Sequence, residues 1–323
     1  CVFVPGGALR GGAFNQGSTI TITEAAGNVT AITCPSCGPG GLIASLPTRQ
    51  ATLQGANGLV AGINAVIFTN AVVTPIGERV KFDFDGDRKA DPAVRTPNGN
   101  WQWLASGEGN AFKGYNFGIA GDKLVAADYD GDGKTDYAVY RPGEGRWDFG
   151  TGTRYEDHNW GELNDVPLTG DYNGDGTSDF IIFRPSTGTW YIKTTTDQFS
   201  VFQFGIPGDK ATTADFDGDG RTDVGIFRNG TWYMLQSTGG YRVAQFGQAG
   251  DVPVPADYDG DGSAEIAVYR AGTWYMLSAT AYTVKQHGNA TDTPVPADFD
   301  GDGKTDIAVF RAVERKWLIK KSS

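Results

Sequence analysis

The chain has 323 residues and a net charge of −11, with 38 acidic against 27 basic side chains. Its 47 Gly and 15 Pro are too many for a helical protein, while 39% hydrophobic and 12% aromatic residues suffice for a packed core. No apolar run approaches the ~18 residues of a membrane helix, and an acidic chain without Lys/Arg clusters excludes nucleic acid as the partner.

The first 75 residues carry little charge and much Gly, Thr and Ala. Cys1-Val-Phe-Val-Pro5 has neither the basic segment nor the long apolar stretch of a signal peptide, so a mature or partial product is expected. Ser18–Thr23 alternates polar and apolar, as a half-buried strand does, and Val29–Thr33 and Asn64–Thr69 are further strand candidates. The stretch Val66-Ile-Phe-Thr-Asn-Ala-Val-Val-Thr-Pro75 resembles the last strand of bacterial prealbumin-like or Ig-like sandwich modules. That resemblance implies a small N-terminal β-sandwich-like segment over residues 1–75 whose first strands are missing or supplied by another chain; a degenerate seventh blade is the alternative. Cys1, Cys34 and Cys37 all fall here, and a disulfide among them suits a secreted protein better than a zinc or redox site.

From residue 76 to 323 one motif recurs. Asp-x-Asp/Asn-Gly-Asp begins at Asp83, Asp128, Asp171, Asp215, Asp257 and Asp298, with gaps of 45, 43, 44, 42 and 41 residues. A period of this length signals a propeller or an array. Oxygen side chains stand at positions 1, 3, 5 and 9 of a nine-residue loop, and position 7 offers its backbone carbonyl. The candidate ligands are Asp83, Asp85, Asp87, Lys89 and Asp91 in loop 1, and Asp128, Asp130, Asp132, Lys134 and Asp136 in loop 2. Loop 3 offers Asp171, Asn173, Asp175, Thr177 and Asp179, and loop 4 Asp215, Asp217, Asp219, Arg221 and Asp223. Loop 5 offers Asp257, Asp259, Asp261, Ser263 and Glu265, and loop 6 Asp298, Asp300, Asp302, Lys304 and Asp306. Hard oxygen donors at this spacing suit Ca²⁺, up to six ions, rather than a metal that wants Cys or His. Four carboxylates per loop, three in the third, account for 23 of the 38 acids, so the acidity is mostly metal-site charge. Loop 1 has Arg88 where the others have Gly at position 6, so it is expected to bind most weakly, with loop 3 next.

Each loop sits between two strand candidates. The strand after it is continuously apolar, as in Phe180-Ile-Ile-Phe183, which reads as buried on both faces. A Trp strand follows (Trp147, Trp190, Trp232, Trp274, Trp317), then a strand ending in Phe117-Gly118, Trp160-Gly161, Phe204-Gly205, Phe246-Gly247 or His287-Gly288. Four short strands per repeat define an all-β, six-bladed β-propeller, with seven blades as the alternative. The Phe-Gly element followed by Asp-x-Asp-Gly-Asp-Gly-x-x-Asp and an apolar strand resembles the FG-GAP/VCBS repeats of integrin α-subunits and secreted bacterial proteins. The resemblance spans residues 76–323 and implies a calcium-binding propeller in an extracellular or cell-surface setting, secreted and without a transmembrane segment.

Two features concern the ends of the blades. Asp122, Asp165, Asp209, Asp251 and Asp292 precede each loop by six residues, and Arg141, Arg184, Arg228, Arg270 and Arg311 follow its start by 13. Reflection of the hairpin about the loop predicts five Asp–Arg pairs on the rim away from calcium. The last unit ends after its Trp strand, so residues 66–72 are expected to supply the fourth strand of the sixth blade.

For function the repeats imply a non-catalytic adhesion or binding module for a glycan or protein, its ligand face on the non-calcium rim. The alternative is a structural subunit of a filament or surface layer, binding copies of itself by strand exchange. An enzyme is not expected. His158 and His287 read as packing residues, and Glu144, Asp148, Asp157 and Glu162 as solvated charge rather than a glycosidase pair.

Overall fold

The computed structural model describes residues 81–150 and 155–322 throughout and, before residue 53, the backbone of six strands. The chain divides into two compact units, Cys1–Thr74 and Pro75–Ser323. In the first, Leu42–Leu46, Asn28–Thr33, Thr21–Ala25 and Gln50–Thr52 lie side by side in one antiparallel sheet, and Val2–Val4 pairs with Ala8–Arg10. The three cysteines, the strand candidate at residues 64–69 and the proposed closing segment 66–72 lie outside the described residues.

The second unit is a six-bladed all-β propeller. Blades 2 to 5 are four-stranded antiparallel meanders in simple sequence order. Blade 3, for example, runs Val166–Gly170, Asp179–Arg184, Thr189–Lys193 and Phe199–Gln203. Blade 1 shows three strands, Ala93–Arg95, Asn100–Ala105 and Ala111–Asn116. Blade 6 shows Thr293–Pro294, Ile307–Arg311 and Lys316–Lys320. The first strands of blades 3 and 4 meet: Thr213 in blade 4 donates its hydroxyl to the Thr169 carbonyl of blade 3 at 3.0 Å.

The continuous apolar runs are second strands, and each is buried on both faces because blades pack on either side; all of Asp179–Phe183 is buried. The blade tryptophans Trp147, Trp190, Trp232 and Trp274 are fully buried between them. The Phe-Gly element has a defined job. Each Trp indole N–H donates to the main-chain carbonyl of that pair's first residue, at 3.1 Å for Trp101–Phe117, 2.8 Å for Trp147–Trp160, 2.7 Å for Trp190–Phe204 and 2.9 Å for Trp232–Phe246 and Trp274–His287. The glycine at the second-to-third-strand turn is obligatory: a Cβ on Gly145 would stand 2.1 Å from the Gly161 carbonyl. His158 is a packing residue, stacked on Phe149 and tilted against Phe180.

All five expected Asp–Arg pairs form, within single blades. Arginine Nε lies 3.1 Å from Asp122, 2.9 Å from Asp165, 2.6 Å from Asp209, 2.6 Å from Asp251 and 2.9 Å from Asp292, and a second nitrogen bonds the other carboxylate oxygen in each. The same carboxylates accept a main-chain N–H three residues upstream, so each Asp fixes its rim turn as well as its arginine. Blade 1 has neither residue. Arg95, one position early, instead donates to the Phe117 and Ile119 carbonyls after the blade's last strand at 3.2 and 2.8 Å and reaches Asp122 of the next blade at 3.8 Å.

Blade 6 provides an internal control for the tryptophan bond. Among the described residues the buried Trp317 indole nitrogen has no hydrogen-bond partner. Trp232→Phe should therefore lower stability by about 2–4 kcal/mol, combining lost volume with an unsatisfied carbonyl, whereas Trp317→Phe should cost roughly 1–2 kcal/mol less. Urea unfolding of the two variants measures the difference; equal losses would contradict the assignment of the indole bond.

Candidate metal centres

The six loops share one hydrogen-bond scheme. The position-1 carboxylate accepts the N–H of position 4 at 2.6–2.7 Å through one oxygen and that of position 6 at 2.7–2.9 Å through the other. The position-5 carboxylate accepts the N–H of position 7 at 2.8–2.9 Å. The position-9 carboxylate reaches back to the N–H of position 2 at 2.7–3.0 Å. Short Asp side chains favour such turns because they reach their own backbone two to five residues on. Glu265 takes the position-9 role in loop 5, its Oε2 accepting from Tyr258 at 2.7 Å.

Each carboxylate keeps lone pairs beyond those bonds, and these converge. Oxygens of Asp83, Asp85 and Asp91 lie within 4.8 Å of one another, as do those of Asp128, Asp130 and Asp136, of Asp215, Asp217 and Asp223, of Asp257, Asp259, Asp261 and Glu265, and of Asp298, Asp300 and Asp302. In loop 3, Asn173 stands at position 3, and its amide oxygen accepts the Asp175 N–H at 2.9 Å. There Asp179 is fully buried, and its Oδ1 has no hydrogen-bond partner among the described residues. A buried carboxylate oxygen without a partner is costly unless a cation meets it. The donor set, all oxygen and mostly anionic, fits a hard divalent cation. Position 7 contributes its carbonyl to that reading; the side chains of Lys89, Lys134, Thr177, Arg221, Ser263 and Lys304 serve otherwise, as below.

Residues from the third-to-fourth-strand turn complete three of the loops. Five positions after the blade tryptophan, Ser106 and Ser322 donate their N–H and hydroxyl to the position-9 and position-5 carboxylates of loops 1 and 6, and Ser237 does the same in loop 4. Sequence reasoning missed them. The recurrence of Ser at that offset in three units was the available signal.

Burial sets the protonation of the sites. It pushes Asp136, Asp179, Asp223 and Glu265, all at position 9, up to about 7, against the N–H bonds that act the other way. It also raises Asp83, Asp171 and Asp257 at position 1.

Glu144, Asp148, Asp157 and Glu162 do not assemble into a pair of free carboxyls. Asp148 is buried, 3.1 Å from Arg141 and 2.9 Å from Arg146, and accepts the Tyr155 hydroxyl at 2.6 Å. Glu144 pairs with Arg146 at 2.7 Å and Glu162 with Arg184 at 3.2 Å, while Asp157 stands opposite Asp148 in the strand register.

Arg88 at position 6 has φ 69°, the left-handed conformation that Gly133 adopts at 90°. Loop 1 thus keeps the shared geometry at a cost of roughly 1–2 kcal/mol. Arg88→Gly should relieve that strain; the extra freedom of glycine in the unfolded chain takes some back, for a net gain of about 0.5–1 kcal/mol by chemical denaturation. The raised carboxyls give a pH test. They bind protons more tightly folded than unfolded, so in chelator their contribution is fully present below about pH 4 and is lost as the pH rises through about 7. The melting temperature in EDTA should fall from pH 5 to pH 8, and excess calcium should remove the fall; a flat profile in EDTA would contradict the burial.

Residues 171–226 match the family model described as FG-GAP-like repeat. No curated protein matches the chain. Among solved structures, it is similar to a lectin of Agrocybe aegerita described as recognising non-reducing terminal N-acetylglucosamine, with 16% identity, TM-score 0.51, and coverage of 92% of this chain and 85% of the lectin. It is also similar to virginiamycin B lyase of Staphylococcus aureus, with 10% identity, TM-score 0.46, and coverage of 97% and 94%. At such identities the likeness concerns the fold alone. Residues 171–226 thus carry an FG-GAP-like repeat, and the same loop recurs in all six blades of the propeller.

Proposed function

We propose that the protein is a calcium-stabilised extracellular binding module whose ligand is a glycan or a glycosylated protein, and that it is not an enzyme. The calcium part rests on the converging oxygens of five of the six loops and, in loop 3, on the buried Asp179 Oδ1, which has no hydrogen-bond partner among the described residues. A bound divalent cation would supply charge compensation, letting all carboxylates of a loop stay ionised at close range. The extracellular setting is in keeping with that chemistry, since extracellular modules are among the proteins that bind calcium through such oxygen donors. No helix among the described residues is long and apolar enough to cross a membrane.

The observation that carries the ligand class is a repeated aromatic edge between blades. Tyr155, Tyr241 and Tyr282 open the outer strands of blades 2, 4 and 5, about 60% exposed, and each ring touches the aromatic of the preceding blade's Phe-Gly element: Phe117 at 6.2 Å, Phe204 at 6.1 Å and Phe246 at 6.0 Å. Exposed aromatic faces flanked by polar side chains suit the apolar face of a sugar ring. The Agrocybe aegerita lectin, a glycan binder of similar fold, supports the same class. This edge replaces the non-calcium rim as the proposed face, because the rim arginines are consumed by Asp165, Asp209 and Asp251 and stack on Tyr191, Tyr233 and Tyr275 at 4.4–4.7 Å.

A second reading, self-assembly by strand exchange, draws on blade 6. Its third strand, Lys316–Lys320, pairs on one side only among the described residues. Light scattering of the full chain separates the two readings: assembly through that edge requires oligomers in calcium.

Two outcomes are expected. EDTA should lower the melting temperature well beyond any effect of ionic strength, and calcium should restore it. On an array of terminal N-acetylglucosamine and other glycans, the double variant Tyr241→Ala/Tyr282→Ala should bind at least about tenfold more weakly than the parent. A parent that binds no glycan, or a double variant that binds as well as the parent, would sink the ligand class.

A further inference from the structure

The six loops are joined to one another in a closed circle. The position-8 N–H of each loop donates to the position-1 main-chain carbonyl of the loop before it: Thr135 to Asp83, Ser178 to Asp128, Thr222 to Asp171, Ala264 to Asp215, Thr305 to Asp257, and Ala90 back to Asp298, all at 2.6–2.7 Å. A second set of contacts follows the same circle. Each position-7 side chain lies across the position-4 glycine of the preceding loop, so a Cβ there would stand 2.9 Å from Lys134 at Gly86, 3.0 Å from Arg221 at Gly174, 2.6 Å from Ser263 at Gly218 and 3.1 Å from Lys89 at Gly301.

We infer that the loops take up calcium as one cooperative ring rather than as six independent sites. The inference rests on the calcium reading above and adds the coupling between sites. The position-1 aspartate is the physical link. Its carboxylate belongs to its own loop, where it holds positions 4 and 6, and its carbonyl belongs to the next blade. The segment that grips that carbonyl is itself fixed by its own loop: position 7 is bonded to the position-5 carboxylate, and position 9 to the N–H of position 2. Ordering one loop around a cation therefore orders the grip on its neighbour's first ligand, and a neighbour already ordered loses less freedom when it binds. Because the circle has no ends, every loop is coupled on both sides.

Charge acts in the opposite direction. A cation in one loop weakens the pull on a cation entering the next, so electrostatics alone makes uptake anticooperative. The sign of cooperativity thus separates coupling through the ring from sites that merely share a rim.

The test is calorimetric calcium titration of the chelator-stripped full chain. The expected result is a Hill coefficient clearly above 1. Asp171→Asn/Asp175→Asn, which disables loop 3, should remove one site and weaken the others at least about fivefold, the lower end of typical coupling between sites. Thr222→Pro, which deletes the N–H between loops 4 and 3 and leaves every carboxylate in place, should lower the Hill coefficient with stoichiometry unchanged. Should that variant fail to fold, judged by circular dichroism, the loop-3 variant decides alone. A Hill coefficient at or below 1, or a loop-3 variant whose remaining sites bind as in the parent, overturns the coupling while leaving calcium binding intact. No calcium uptake at all overturns both.

Discussion

The first aspartate of each loop is held from two sides, and the propeller is organised around that double hold. Its carboxylate closes the loop on itself by accepting the N–H groups of positions 4 and 6; its carbonyl ties the loop to the next blade. Removing the side chain would leave several inward-pointing N–H groups without a partner, and moving the carbonyl would break the contact between blades. Glycine at position 4 follows from this arrangement, because the neighbour's position-7 side chain occupies the space where a Cβ would be. The residues that look like a metal motif are therefore also the joints of the ring.

Away from the loops the blades use two further clamps. On the rim away from the loops the Trp indole fastens the third strand to the Phe-Gly turn, and beside it an Asp–Arg pair closes the first two strands. Blades 3 to 5 add a tyrosine under the arginine, at 4.4–4.7 Å. Blade 2 carries Asp148 at that position and uses ion pairs with Arg141 and Arg146 instead. The substitution keeps the arginine fixed by a different interaction, so the rim survives the exchange of an aromatic for a charge. Blade 1, which lacks both members of the pair, borrows the function from Arg95 and the carbonyls after its last strand.

This division of labour leaves little of the loop rim or the arginine rim free for a ligand. What stays exposed and repeated is the outer-strand aromatic beside the preceding blade's Phe-Gly element. Because that contact recurs between successive blades, any ligand it holds would be held several times over, and modest single affinities would add through multivalency. The propeller fold itself carries no activity, and similar folds serve unrelated chemistry.

Much of this was legible in the sequence. Six copies of the loop motif pointed to six blades with seven as the alternative, and their spacing of 41–45 residues leaves room for four short strands in each. Reflection about the loop gave the Asp–Arg pairs, since a hairpin's register is fixed by its turn. Residues of one hairpin lie at a constant offset, and constant offsets can be read. The Ser106, Ser237 and Ser322 caps stand at such an offset from the blade tryptophan and were open to the same reading. The bonds from Thr135, Ser178, Thr222 and their counterparts to the preceding loop could not be read that way, nor could the role of Arg95. Those contacts join main-chain groups, or side chains of different hairpins, and main-chain donors carry no residue signature. The closing bond from Ala90 to Asp298 joins residues at opposite ends of the propeller. Only the curvature that brings the sixth blade back to the first could place them together.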